Sequence, residues 1–173
     1  MVEATRTSDN RAAKTTFIII DAQSVKNSDT AEEKGYDAGK KVSGIKRHIA
    51  VDTQGLPHAT FVTTADVTDR NGALEMFLIC KENLDKLLNI LADGAYSGEK
   101  FADEVEALLG CSVEIAKRNE LHKFAVIPKR WVVERSFAWL EKCRRLWKNC
   151  ERKINTSLQM MNLAFAALLL KRF

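Results

Sequence analysis

Short apolar runs alternate with polar segments along the chain, and they predict where the buried strands lie. The run Phe17 to Ile20 is mostly β-branched and ends at Asp21, as expected for a buried strand. A second run, Leu87 to Ala92, also ends in an aspartate, Asp93. Between the two runs, residues 45–64 alternate partly around a turn, which predicts a hairpin. The pattern therefore places two aspartates at the ends of two buried strands.

Apolar residues spaced three and four apart predict helices in the rest of the chain. The first follows a polar junction at 66–70, and the next is stopped by Gly110 and followed by a short strand at 111–116. A long helix is predicted from Pro128 to about residue 148, and a last one at 156–170. This mixed order predicts an α/β fold in which a mixed sheet is flanked by helices.

The length of 173 residues predicts one domain, at roughly 150 residues per domain. Residues 1–16 are polar and are predicted to form a flexible leader before a domain at 17–173. The start lacks the apolar region of a signal peptide, and no apolar segment reaches the roughly 20 residues of a membrane span. The four cysteines form no C-x-x-C pair. We therefore expect a cytoplasmic protein with reduced thiols, without a membrane or zinc site.

Positive charge is concentrated in the last third of the chain. Residues 117–173 hold 14 Lys and Arg against 4 Asp and Glu, whereas the chain as a whole has a net charge of +4. A basic segment of this kind is typical of proteins that bind polyanions. A solvated basic helix has the same composition, so the charge alone leaves both interpretations open.

Three carboxylates are candidates for chemistry: Asp21, Asp93 and Glu134. Ligands of α/β sheets gather at the carboxyl ends of strands, where the two aspartates are predicted to lie. If their strands are neighbours, the two carboxylates repel each other and favour a hard cation such as Mg²⁺ or Mn²⁺. Each aspartate has an ordinary alternative as a turn or cap residue. Glu134 falls at the border of an apolar helix stripe, where a surface ion pair with Arg130 is the ordinary alternative.

Other chemistries lack their motifs. The segment Gly94 to Gly98 is not G-x-S-x-G, because Ser97 stands one place late for a nucleophile elbow. The chain has neither a Walker loop nor a G-x-G-x-x-G segment.

At the three carboxylates the sequence resembles the catalytic domain of DDE transposases from bacterial insertion sequences, in the insertion-sequence four/five group. The resemblance extends from Ile18 to about Leu170, nearly the whole chain. Six segments carry it, in the order found in the family: 19–26, 39–48, 51–56, 64–70, 91–98 and 130–140.

The resemblance implies that Asp21, Asp93 and Glu134 are the catalytic triad of a ribonuclease-H-like fold and hold Mg²⁺ or Mn²⁺. It implies a two-metal reaction that cleaves transposon ends and joins them to target DNA. The implied partner is double-stranded DNA, bound by a homo-oligomer.

The family signature places Tyr, Arg, Glu and Lys around the last carboxylate. Arg130 and Glu134 fit it, whereas Ile127 stands at the Tyr position and Glu141 at the Lys position. On a helix that continues to 148, Arg145 lies about 20° from Glu134 and is the candidate for the missing phosphate contact.

Two basic groups are expected to bind DNA phosphates. Those on the predicted hairpin are Lys40, Lys41, Lys46 and Arg47, and those on the predicted helix are Arg130, Lys142, Arg144 and Arg145.

Only 20 residues precede Asp21, whereas full-length relatives carry a helical region there that binds transposon ends. The chain is therefore interpreted as the second of two reading frames joined by frameshifting, with a separately encoded N-terminal part, as a truncated element, or as an isolated catalytic domain. The alternative function is an inactive remnant that only binds DNA or a partner. A nuclease of the same fold that only hydrolyses DNA, and a basic α/β regulator without catalysis, are further alternatives.

Overall fold

Six strands form one mixed sheet in the computed structural model, which describes residues 1–116 and 130–171. The strands are β1 (Phe17–Lys26), β2 (Gly35–Asp37), β3 (Val42–Val51), β4 (Pro57–Thr64), β5 (Asn89–Ala92) and β6 (Ser112–Ile115). β3 is antiparallel to β1, β2 and β4, whereas β1, β5 and β6 run parallel to one another. The long antiparallel ladder agrees with the predicted hairpin and adds β1 to it.

Helices cover both faces of the sheet. They are α1 (Val2–Ser8), α2 (Asp69–Cys80), α3 (Glu99–Leu109), α4 (Arg130–Glu141) and α5 (Ile154–Leu170). The Thr68 hydroxyl caps α2 by accepting a hydrogen bond from the Asn71 amide, and Gly110 ends α3 in a left-handed conformation. Within the described part of the chain, no helix is long and apolar enough to cross a membrane.

Alternating side chains of β1 divide the core into two clusters. Ile18 and Ile20 pack on the side of α2 and α3, together with Phe77. Ile19 packs on the opposite side, under α4 and α5, together with Phe137. Because both faces are buried, the first half of β1 is apolar throughout, and the prediction of a buried strand is confirmed.

The predicted helix of 128–148 is shorter in the structure. α4 ends at Glu141, and residues 142–148 form turns. The backbone of this segment bonds to the sheet instead of continuing the helix, since the Asn149 amide donates to the Lys26 carbonyl. Trp147 is consequently 63% exposed and does not extend the apolar stripe of α4.

Residues 1–16 were expected to be a flexible leader, but the structure gives them a defined place. They contain α1, and the buried Arg6 forms an ion pair with the fully buried Asp52. Arg11 pairs with the same carboxylate at 2.8 Å. Charged contacts anchor this segment, and hydrophobic periodicity carries no signal for them.

Candidate active site at the carboxyl end of the parallel strands

The β1–β5 ladder brings Asp21 and Asp93 to the same end of the sheet. The two strands are parallel, the last pair is Ile19 with Leu91, and each aspartate follows its member of that pair by two residues. Ile19 and Leu91 point into the cluster under α4 and α5. Because strand side chains alternate, Asp21 and Asp93 project from that same face.

The local backbone fixes both carboxylates. One carboxylate oxygen of Asp21 accepts a hydrogen bond from the Ala22 amide at 2.8 Å. Asp93 caps the short 3₁₀ helix Gly94–Tyr96, where its Oδ1 accepts from the Ala95 amide at 2.9 Å. Both side chains are half-buried, so they keep access to solvent at the sheet edge.

A buried tyrosine indicates how acidic this edge is. Burial raises the pKa of Tyr96 well above its usual value, and the negative charges of Asp21, Asp69 and Asp93 raise it further. All three carboxylates therefore act on one hydroxyl, which places Asp21 and Asp93 in a common acidic neighbourhood.

Glu134 approaches from the helix side. It is an exposed residue of α4, whose buried face packs on the sheet through Val133, Phe137 and Leu140. Across residues 1–116 and 130–171, no group of three or more His, Cys, Asp or Glu side chains is arranged to hold a metal ion. The structure thus brings the two aspartates together and leaves Glu134 on the neighbouring helix.

The chemistry of the aspartate pair fits a hard divalent cation. Two half-buried carboxylates on adjacent strands repel each other, and a cation between them relieves this repulsion. Their oxygens are the ligands that Mg²⁺ and Mn²⁺ prefer. The pair alone leaves ligand positions open for water, a phosphate oxygen or Glu134.

A buried arginine ties the end of α4 to the sheet. Arg47 of β3 is 1% exposed, and its Nη1 donates to the Leu146 carbonyl at 2.7 Å. Burial lowers the pKa of Arg47 to about 10, although the negative charge of Glu141 acts to raise it. Beside it, Gln23 Nε2 donates to Glu141 Oε1 at 2.6 Å. Glu141, which stands where the family signature has Lys, thus takes part in holding α4 against β1.

A second set of contacts ties the middle of α4 to the β3–β4 turn. Arg135 stacks between two tryptophans, with its Cζ 4.5 Å from the ring centre of Trp131 and 4.7 Å from that of Trp139. Its Nη2 donates to the Gln54 carbonyl at 3.0 Å. Gly55 has a φ of +82°, and a Cβ there would lie 3.2 Å from the Trp139 ring. Only glycine suits this turn so close to the helix.

The burial of Lys46 and Arg47 does not support their predicted contact with DNA. The Lys46 ammonium lies 2.8 Å from Asp69 and 3.5 Å from Asp37, with 5% of its side chain exposed. Arg47 faces the opposite, helix-covered side, as described above. Lys40 and Lys41 are exposed and remain available to a ligand. Successive side chains of β3 point to opposite faces of the sheet. Because both faces of β3 are covered, Lys46 and Arg47 are both buried.

The basic residues after Glu134 also differ from expectation. Lys142, Arg144 and Arg145 are exposed but follow the end of α4, so the predicted 20° separation of Arg145 from Glu134 is wrong. Arg145 instead forms an ion pair with Glu151. Arg130 begins α4, and its side chain lies outside the described part of the structure.

Arg70 is a residue at this edge that the sequence patterns did not single out. Its Nε donates to the Ala95 carbonyl at 2.9 Å, two residues beyond Asp93. The available signal was weak: a cation in the first turn of a helix, where acidic residues are usual.

Solved structures with the same fold define the class of this domain. One is a chain of the simian T-cell lymphotropic virus intasome in complex with PP2A regulatory subunit B56 gamma, with a TM-score of 0.56 and 16% identity over 88% of this chain and 47% of that chain. Another is the catalytic core domain of BIV integrase, with a TM-score of 0.53 and 12% identity over 88% of this chain and 82% of that chain. The fold is ribonuclease-H-like, as predicted.

Sequence comparison identifies the family. The family described as "Transposase DDE domain" matches residues 12–169, and the chain belongs to it. A relative from Burkholderia cepacia, named "Putative transposase for insertion sequence element IS402", is 34% identical over 119 residues. That match covers 64% of this chain and 55% of the relative, so the chain spans about half the length of that protein.

Proposed function

We propose that this domain catalyses the DNA strand cleavage and strand transfer of an insertion-sequence transposase, with Asp21, Asp93 and Glu134 as its catalytic carboxylates. The observation that supports the proposal is the parallel register of β1 and β5, in which Asp21 and Asp93 each follow the last pair, Ile19 and Leu91, by two residues. That pair packs on the face covered by the Glu134 helix. Membership of the transposase DDE domain family supports the same assignment.

Asp21 and Asp93 would hold Mg²⁺ or Mn²⁺, with Glu134 as the third ligand once DNA occupies the edge. When bound, such ions supply a water of lowered pKa and stabilise the charge on the oxygens at phosphorus. The aspartates contribute fixed positions, because Asp21 lies within β1, Asp93 directly follows β5, and each accepts a backbone hydrogen bond. Glu134 contributes from a helix whose position depends on side-chain contacts.

The proposed reaction has two displacements at phosphorus. Water first attacks a phosphodiester at the transposon end, which leaves a 3′-hydroxyl on one side and a 5′-phosphate on the other. The released 3′-hydroxyl then attacks a phosphodiester of target DNA. A new P–O bond forms, the bond from that phosphorus to the target 3′-oxygen breaks, and the departing target strand leaves as a 3′-hydroxyl that takes up, through solvent, the proton lost by the attacking hydroxyl. The carboxylates accelerate the reaction by positioning the phosphate for in-line attack.

Exposed cations are the proposed contacts to the DNA backbone. They are Lys40, Lys41, Lys142, Arg144 and Arg145, together with Arg130 at the start of α4. Phosphate contacts of this kind give salt-sensitive binding without sequence preference. A separately encoded N-terminal part of the transposase would recognise the transposon ends. The active form would be a homo-oligomer bound to bacterial DNA in the cytoplasm.

Nicking of a supercoiled plasmid in Mn²⁺ tests the proposal. We expect the wild-type domain to nick the plasmid and the Asp93→Asn variant to lose this activity. Asp103→Asn is the matched control, since Asp103 is an exposed aspartate of α3 away from the edge. Joining of a labelled 3′-hydroxyl end to the plasmid separates a transposase from a nuclease that only hydrolyses. Equal nicking by wild type and Asp93→Asn would contradict the proposal, and binding without nicking would favour the inactive remnant.

A further inference from the structure

A cavity of about 730 Å³ opens beside the acidic edge, on the side of the sheet that α2 and α3 cover. It lies between the β2–β3 connection and the starts of α2 and α3. Its charged lining consists of four cations and three carboxylates: Lys40, Lys46, Arg70, Lys100, Asp37, Asp69 and Glu104. Lys100 lies 3.9 Å from Glu104. The cavity therefore adjoins the carboxyl ends of β1 and β5 but is separate from the surface that α4 covers.

Arg70 presents its charge to this cavity. It is an exposed residue in the first turn of α2, and the helix dipole disfavours a cation there. Its Nε donates to a neutral acceptor, the Ala95 carbonyl, at 2.9 Å. Among the residues that the structure describes, no carboxylate forms an ion pair with Arg70. The guanidinium is thus held in place with its two Nη groups available to an anion.

Lys40 also lines the cavity. Its Nζ donates to the Ala22 carbonyl at 3.1 Å, directly after Asp21, and lies 3.6 Å from Asp69. The carboxylates nearby already have a partner, because Lys46 lies 2.8 Å from Asp69 and 3.5 Å from Asp37. Burial raises the pKa of Asp37, but the Ser24 hydrogen bond and the charge of Lys46 outweigh it and lower the pKa to about 2.

The two cations are therefore tethered to the backbone beside the two proposed catalytic aspartates. Arg70 bonds to the residue two places after Asp93, and Lys40 bonds to the residue after Asp21. A planar guanidinium can contact two oxygens of one phosphate, and an ammonium can contact a neighbouring phosphate as a point charge. A cavity of this volume takes a ligand the size of one or two nucleotides, and a duplex would not enter it.

We propose that Arg70 and Lys40 form a phosphate clamp for a single DNA strand that passes the catalytic edge into this cavity. The clamp rests on the proposed function, since it assigns a path to the strand on which the carboxylates act. It adds Arg70 to the DNA contacts and gives Lys40 a defined place among them.

DNA binding without divalent ions tests the clamp apart from catalysis. The probes are a fluorescent blunt duplex and the same duplex with a single-stranded 3′ extension, and the readout is anisotropy at several salt concentrations. We expect Arg70→Gln to weaken binding of the extended probe about tenfold and to reduce its salt slope by about one. Lys40→Gln should have a smaller effect in the same direction. Binding of the blunt duplex should change little.

Lys81→Gln is the matched control, because Lys81 is an exposed cation at the other end of α2. It should bind both probes like the wild type. Arg70→Gln loses the exposed hydrogen bond to the Ala95 carbonyl but also removes a cation that the helix dipole disfavours, so its thermal midpoint should change little. Arg70→Lys keeps the charge without the planar fork and should recover part of the lost affinity.

The outcomes separate the two proposals. Wild-type affinity of Arg70→Gln and Lys40→Gln for the extended probe would overturn the clamp, while Mn²⁺-dependent nicking by the wild type would leave the proposed function standing. Equal weakening of both probes would also overturn it, because the cations would then contact duplex DNA. A wild-type domain that neither binds nor nicks DNA would overturn both.

Discussion

The two sides of the proposed active site are built in different ways. On the strand side, Asp21 and Asp93 follow the last pair of the parallel β1–β5 ladder, and each accepts a hydrogen bond from a nearby backbone amide. On the helix side, Glu134 is placed by packing and by contacts of side chains, chiefly those of Arg47, Glu141 and Arg135. The separation of the aspartates is therefore fixed by the fold, whereas that of Glu134 depends on a few replaceable residues.

This difference separates binding of an ion from catalysis. The aspartate pair is present whenever the sheet forms, so it should bind an ion even when α4 is displaced. Glu134 should matter when DNA and ions are both present, because its helix must then bring the third carboxylate to the edge. Substitutions on the two sides should consequently give different patterns of lost affinity and lost activity.

The largest expected effect is the loss of nicking when a carboxylate is neutralised. Asp21→Asn, Asp93→Asn and Glu134→Gln should each lower the nicking rate about a thousandfold or more. Asp21→Asn and Asp93→Asn should also lose their affinity for Mn²⁺, as measured by calorimetry. Glu134→Gln should keep most of that affinity. Loss of Mn²⁺ binding in Glu134→Gln alone would show that the two sides do not differ in this way.

The next effect is displacement of α4 by Arg47→Met. This variant loses a buried hydrogen bond to the Leu146 carbonyl and should lower the free energy of unfolding by about 1–3 kcal/mol. The nicking rate should fall about 10–100-fold, which is the usual effect of removing a residue that supports a metal site. The affinity for Mn²⁺ should change little. Val105→Ala is the control, because it destabilises the opposite core cluster. If Val105→Ala lowers the nicking rate as much as Arg47→Met does, at the same free energy of unfolding, then Arg47 has no specific role in positioning α4.

A smaller effect on activity is expected from Asp52→Asn, which releases α1 from the β3–β4 turn. Its main effect should be a loss of about 2–4 kcal/mol in urea unfolding at pH 7, because buried Arg6 loses its counter-charge. Burial alone would raise the pKa of Asp52, but His58, two backbone amides and Arg11 outweigh it, so the pKa is lowered.

The lowered pKa of Asp52 also predicts a pH dependence. The ionised carboxylate stabilises the folded state fully above the pKa of the unfolded chain, about 3.9, and this contribution is lost as the pH falls below it. The wild type should therefore lose stability more steeply than Asp52→Asn between about pH 4 and pH 2. Parallel curves for the two proteins would contradict the assignment.

The smallest effect is expected from Arg135→Ala, which removes the stacking between the two tryptophans of α4. Exposed cation–π contacts contribute about 0.5–1 kcal/mol each, and the loss should lie near that value. Nicking should fall only a few-fold, since Gly55 still packs under Trp139. An effect as large as that of Arg47→Met would show that the turn, and not the end of α4, sets the position of Glu134.

The strand side of the site is predictable from the sequence, and the helix side is not. Apolar runs ending in aspartate indicate where Asp21 and Asp93 fall, because strand burial follows local composition. The turns that follow α4 are held by Arg47, which lies 99 positions before its partner Leu146. The burial of Lys46 and the anchoring of α1 by Asp52 likewise depend on charged partners distant in sequence. Such contacts leave no periodic pattern in the sequence. The basic residues of β3 were therefore predicted to be exposed contacts to DNA.

A crystal structure of the domain with Mn²⁺ and cleaved-end DNA would test the central claim most directly. Anomalous scattering should locate an ion about 2.0–2.4 Å from carboxylate oxygens of both Asp21 and Asp93, with Glu134 turned toward the same ion or a second one beside it. Ions bound elsewhere, with the two aspartates bonded only to protein groups, would contradict the account.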